Sequence, residues 1–61
     1  MATTPRIETG WYGVNYVDGK YVPATRCENR HCLAMFDAED AGADYVGYWN
    51  GTYWEDIEVV D

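Results

Sequence analysis

Residues 44–60, DYVGYWNGTYWEDIEVV, decide the fold, because they can be laid out either as a C-terminal helix or as a hairpin. Gly47 interrupts the run, and its neighbours are aromatic or β-branched residues that lose side-chain freedom in a helix. Asn50-Gly51 between two such runs is among the strongest short-range hairpin signals. The pattern therefore predicts strands over roughly 45–49 and 52–60. A two-residue turn would pair Tyr48 with Tyr53 and Val46 with Glu55. Ile57 and Val59 would then point inward with Tyr53, and Trp54, Asp56 and Glu58 would point the other way.

A second hairpin pattern lies upstream in WYGVNYVDGKYVPAT, residues 11–25, around Asp18-Gly19. A two-residue turn pairs Tyr16 with Tyr21 and sends Val22 and Ala24 to the face opposite Val14. A three-residue loop with Gly19 left-handed pairs Val14 with Val22 and Tyr12 with Ala24. That bulged register gathers Tyr12, Val14, Tyr16, Val22 and Ala24 on one face, and since a one-residue slip exchanges the faces, it is the expected one.

Between the hairpins, CENRHCLAMFDAEDAGAD must hold any helix. A helix over 29–41 has good formers and Gly42 as its stop, but it places Arg30 and His31 at the positive end of the dipole and the acids at the negative end. A shorter helix capped by Asp37, with Glu39 and Asp40 in its first turn, satisfies the dipole and takes Gly42 inside at about 1 kcal/mol. The later start is expected, with Leu33 to Phe36 as an apolar lead-in. The fold class is then α+β: a small antiparallel sheet of two hairpins, about four strands, with one short helix between them. Residues 1–10, with Pro5 and Gly10 and little to pack, are expected to be a flexible N-terminal arm ahead of a single domain over 11–61.

Sixty-one residues bury a smaller share of surface than a larger domain, and the ten aromatic residues are the compensation. No apolar run approaches the ~20 residues of a membrane helix, and MATTPRIETG has no signal-peptide core, so a cytoplasmic protein without a membrane partner is expected. In that compartment Cys27 and Cys32 are expected as free thiols, and Asn50-Gly51-Thr52 as a turn, not a glycan acceptor.

Several chemistries lack material. The chain has no serine, and His31 adjoins Cys32, which on an extended chain sends the two side chains apart. No catalytic residues are assigned and no enzyme is expected. Laid on a calcium loop, Asp37 to Tyr48 puts Ala41 where an oxygen ligand is wanted and Tyr48 where a bidentate glutamate belongs. Cys27, His31 and Cys32 make half a zinc site without the usual paired knuckle. No metal and no cofactor are expected.

Charge carries the functional expectation. Eleven acids against four bases give a net charge of −7, and from Asp37 to Asp61 there are eight acids and no Lys, Arg or His. Such a surface repels nucleic acid and attracts basic proteins, including phosphate-binding grooves. DAEDAGAD, residues 37–44, supplies four of those acids. Acids at i, i+3 and i+4 of a helix lie ~5–6 Å apart, and alternate strand residues ~6.6–6.8 Å apart, spacings comparable with phosphates. The expected partner-binding residues are Asp37, Glu39, Asp40 and Asp44 on the first element and Asp56 and Glu58 on the last strand. Trp54 is their aromatic anchor.

The size, the acidity and the DAEDAGAD block resemble those of the small phage-encoded anti-CRISPR proteins, some of which mimic DNA. The resemblance implies an inhibitor that occupies a Lys/Arg-lined DNA site of a host nucleic-acid-handling complex, in the host bacterial cytoplasm, without catalysis. Its partner would be a basic nucleic-acid-binding protein, not nucleic acid itself. The alternative is an accessory domain, a homodimer through exposed Trp11, Tyr21 and Trp54, whose acids serve solubility. Carbohydrate binding by surface aromatics is a third possibility.

Overall fold

A computed structural model describes residues 7–60. Strand β1 (Gly10–Val17) turns into β2 (Lys20–Pro23), helix α1 (His31–Ala41) follows, and β3 (Tyr45–Trp49) turns into β4 (Trp54–Val59). All four strands form one antiparallel sheet in the order β2-β1-β3-β4, so the two hairpins join through β1 and β3. Residues 7–10 of the expected arm belong to this fold. Gly10 opens β1, Ile7 packs on the core, and the Tyr12 hydroxyl donates to Glu8 O at 2.6 Å. The remainder of that arm lies outside the described residues.

The first hairpin takes the two-residue turn, not the expected bulge. Tyr16 faces Tyr21 and Val14 faces Pro23, with Asp18 at φ 50° and Gly19 at φ 82°. Both turn residues are left-handed, the condition for the turn whose twist matches the flanking strands, and aspartate tolerates that region better than most residues. The register brings the Tyr16 and Tyr21 rings to 5.0 Å and leaves Val22 on the other side, 39% exposed. The bulged register gathers more aliphatic area, but β2 is a four-residue edge strand, and Tyr21, packed on Tyr45 at 5.7 Å, fills its place.

The second hairpin departs from its expected pairing as well. β3 and β4 are joined by the four residues 50–53, so Trp49 faces Trp54 and Tyr48 faces Glu55. Asn50 Oδ1 accepts from the N–H groups of Thr52 and Tyr53, both at 2.9 Å, and this side-chain turn displaces the two-residue one. The exchange buries the Trp49–Trp54 contact, with centroids 5.1 Å apart, and leaves Tyr53 exposed. Further along, a register shift between Val46 and Tyr48 sets Asp56 and Ile57 against Gly47, with Asp56 at φ 53°. This bulge changes the parity of β4. Trp54, Ile57 and Val59 share one face, while Glu55 and Glu58 take the other, where alternation without a bulge would put Trp54 with Glu58.

The sheet thus has two distinct faces. On one, Tyr12, Val14 and Trp49 are buried beneath Tyr21, Tyr45, Trp54 and Ile57. On the other lies α1, whose Ala34 and Ala38 pack with Ala43 and Val46. Gly13 is what lets the helix approach. A Cβ there would stand 2.8 Å from the Ala38 Cβ and 2.8 Å from the Thr25 Cγ2, distances no packed carbon tolerates. Beyond β2, Ala24 N–H donates to Gly13 O at 2.7 Å, and Trp11 and Glu28 exchange two backbone bonds of 2.8 Å, so the β1 edge is covered along its length.

The helix also corrects an expectation. It runs from His31, with Arg30 as an N-cap that makes no side-chain bond, and ends at Gly42 in the left-handed region at φ 73°. Ala43 N–H donates to Ala38 O at 2.9 Å and Gly42 N–H to Glu39 O at 3.3 Å, closing the last turn. Asp37 is therefore interior and not a cap. The first turn holds no acid and the last turn no base. Dipole preference, worth a few tenths of a kcal/mol per charge at the surface, gives way to burying Ala34 and Ala38 against the sheet.

Candidate functional site

The expected partner-binding residues do not form one set. Asp37 is half-buried, and its Oδ2 lies 3.6 Å from Arg26 Nε, which in turn donates to Glu28 Oε2 at 2.9 Å. Its charge is therefore partly spent inside the fold, and the two carboxylates raise the Arg26 pKa, Glu28 through its hydrogen bond foremost. Trp54 is half-buried on the aromatic face, in contact with Tyr12 at 5.7 Å and Trp49 at 5.1 Å, away from the helix. It cannot serve as an anchor flanked on its own face by Asp56 and Glu58. Trp11 and Tyr21, offered as dimer contacts, are half-buried too: Trp11 meets the rings of His31 at 5.0 Å and Tyr48 at 5.2 Å.

The other five acids are exposed: Glu39, Asp40, Asp44, Asp56 and Glu58. Glu39 and Asp40 occupy the last turn of α1, the negative end of its dipole, where a carboxylate is unfavourable. Asp44 opens the way into β3. Its N–H donates to Asn15 Oδ1 at 2.9 Å and its carbonyl accepts from Val60 N–H at 2.9 Å, so the backbone at 44 is fixed beside the end of β4. Glu58, on the helix side of β4, lies with its Oε1 3.3 Å from His31 Nε2. His31 also lines a notch with Glu39, so carboxylates nineteen positions apart in sequence border one histidine. Glu55, opposite Tyr48, shares this side of the sheet; pairing with Val46 or with Tyr48 gives it the same face, which the sequence pattern reads as inward, so it stands outside the expected set.

Two further features escaped the sequence reading. The outer side of α1 exposes Leu33 and Phe36, the latter 67% exposed. No periodicity announces this, because the helix buries alanines and turns its large apolar residues outward. On the opposite face, an open groove of about 570 Å³ runs between β2 and the β3–β4 turn, lined by Tyr21, Val22, Pro23, Trp49, Tyr53 and Trp54, with Lys20 and Thr52 beside them. Stacked aromatic walls with few polar groups suit a ring-bearing ligand more than a charged one.

The unpaired thiols of Cys27 and Cys32 stay apart, and the Cys27 Sγ lies 3.5 Å from Thr9 O. Among the described residues, no three His, Cys, Asp or Glu side chains gather as metal ligands would. The buried Tyr12 phenol is held above its ordinary pKa, by burial first and by the neighbouring Cys27 and Glu8 after it. Among the described residues no helix is long and apolar enough to cross a membrane.

Fold and surface together define a class: a small α+β domain whose helix-bearing side is acidic and whose other face is aromatic. No family model, curated protein or solved structure matches the chain.

Proposed function

We propose that this protein is a non-enzymatic inhibitor that places an acidic, nucleic-acid-mimicking surface on the basic DNA-binding site of a host nucleic-acid-handling complex. This is the mode implied by its resemblance to the anti-CRISPR DNA mimics, and it makes the host bacterial cytoplasm its place of action if a phage encodes it. One observation carries the reading. Glu39 and Asp40 sit exposed at the end of α1 that least tolerates carboxylates, with no base in the last turn to offset them. A fold that keeps an unfavourable charge at its surface gains from a ligand that neutralises it, and such local conflicts concentrate at functional sites. Asp44, Asp56 and Glu58 extend the charge, while Asp37 and Trp54 drop out of the surface for the reasons above.

Capture from bacterial lysate at low and high salt tests the reading. The expected result is a basic nucleic-acid-binding protein retained at low salt, released at high salt, and lost in the variants D40K, D44K and E58K. Retention unchanged by all three reversals refutes it. The aromatic groove supports a second reading, recognition of a ring-bearing ligand such as a neutral glycan. Trp49 and Trp54 both line that groove, so a glycan panel that leaves tryptophan fluorescence unchanged removes it.

A further inference from the structure

The outer side of α1 combines three features that acidity alone does not explain. Leu33 and Phe36 stand exposed three residues apart, on adjacent turns of the same ridge. Beside Phe36 a notch of about 290 Å³ opens between His31, Cys32, Met35 and Glu39. Its rim is charged: Glu39 lines it, Glu58 reaches the same histidine, and Asp40 is exposed one residue on. Arg30 is exposed just before the helix, and Arg26 is taken up by Glu28 and Asp37.

We propose that this ridge and notch dock a basic amphipathic helix of a partner protein. The proposal rests on the inhibitor reading and specifies how the partner is held. Side chains at i and i+3 form the ridges that pack into the grooves of another helix, and the eleven residues of α1 offer ~16 Å of length, enough for three turns of a partner. An apolar side chain of the partner fills the notch against Phe36 and Met35, and Lys or Arg on its flanks meets Glu39, Asp40 and Glu58. Charge complementarity selects this occupant over the others. A second copy of the chain would bring the same carboxylates against Glu39 and Asp40, and an anionic lipid surface is repelled by a protein of charge −7.

The probe is a fluorescein-labelled 18-residue peptide of leucine and lysine with its leucines on one helical face. A scrambled peptide of the same composition serves as its partner probe, and fluorescence anisotropy follows both. The amphipathic peptide is expected to bind at least about tenfold tighter than the scrambled one. Phe36→Ala removes that advantage, while Tyr53→Ala, on the other face, leaves it. E39Q with E58Q weakens both peptides. Because the Phe36 ring is largely exposed, the variant keeps its fold, which circular dichroism verifies. Equal binding of the two peptides, or F36A without effect, overturns the docking site. If both peptides still bind in a salt-sensitive way that E39Q/E58Q weakens, the inhibitor reading survives that failure. Conversely, salt-insensitive binding that F36A abolishes retains the docking site and removes the electrostatic reading. Sedimentation that finds a wild-type dimer dissolved by F36A assigns the face to a second copy and overturns the proposal.

Discussion

Removing the carboxylates from the last turn of α1 should stabilise the protein. Glu39 and Asp40 lie at the negative end of the helix dipole, and the last turn contains no base. The double variant E39Q/D40N keeps side-chain size and nearly keeps helix propensity, so the dipole interaction is what changes. Each carboxylate is worth ~0.3–1 kcal/mol at a helix end; both are exposed, so the lower half applies, and the pair sums to about 0.6–1.3 kcal/mol. In a domain of this size, 1 kcal/mol moves Tm by about 4–8 °C, giving an expected rise of about 2–10 °C at low ionic strength. Salt supplies the control. The screening length falls from ~10 Å at 0.1 M to ~3 Å at 1 M, so the rise should all but vanish at 1 M NaCl. Thermal denaturation followed by circular dichroism at the two salt concentrations measures both. A Tm that stays level or falls at low salt refutes the reasoning, and with it the claim that these acids are kept against the interest of the fold. The same variant should bind the basic partner more weakly, so stability and binding move in opposite directions.

Three other perturbations probe the fold. Gly13→Ala drives a Cβ into Ala38 and Thr25, and overpacking of this kind costs ~1–3 kcal/mol, read by urea denaturation; a second change, Ala38→Gly, should recover part of the loss. Asn50→Ala removes the acceptor of two backbone bonds in the β3–β4 turn and should lower stability by about 1 kcal/mol in the same assay. Tyr12 supplies a pH dependence. Its folded pKa lies above the ordinary value near 10, so the folded state holds its proton where the unfolded state releases it; stability should be level below pH 10 and decline above it, and Tyr12→Phe should remove that decline in denaturation series from pH 9 to 11.

The acidic surface illustrates how far sequence carries a functional reading. Glu39, Asp40, Asp44, Asp56 and Glu58 were legible because they are acids in a base-free stretch, and all five are exposed. The contact of Asp37 with Arg26 was not legible, because Arg26, eleven residues away in sequence, reaches it only in the folded chain. Trp54 was separated from its expected flank because the bulge at Asp56 and Ile57, which no local pattern announces, carries Glu58 to the other face of the sheet. The same bulge brings Glu58 onto the face of Glu55, and the exposure of Phe36 followed from which side of α1 the sheet covers.

Sequence by itself determined the parts: two aromatic hairpins around Asp18-Gly19 and Asn50-Gly51, one helix between them, and the sign of the surface. These are local properties, set by backbone preference at the turns and by the charges of the residues. Tertiary structure decided how the parts meet. It joined the hairpins through β1 and β3, chose the tighter turn at Asp18-Gly19, and widened the turn after Trp49 to bring Trp49 onto Trp54. It also drew the helix back to His31, because Ala34 and Ala38 pack with Ala43 and Val46, Ala38 against Gly13, and a helix begun at Asp37 would leave Ala34 outside it. Burial outweighed the dipole there, since a few tenths of a kcal/mol per surface charge cannot compete with the packing of a helix on a sheet.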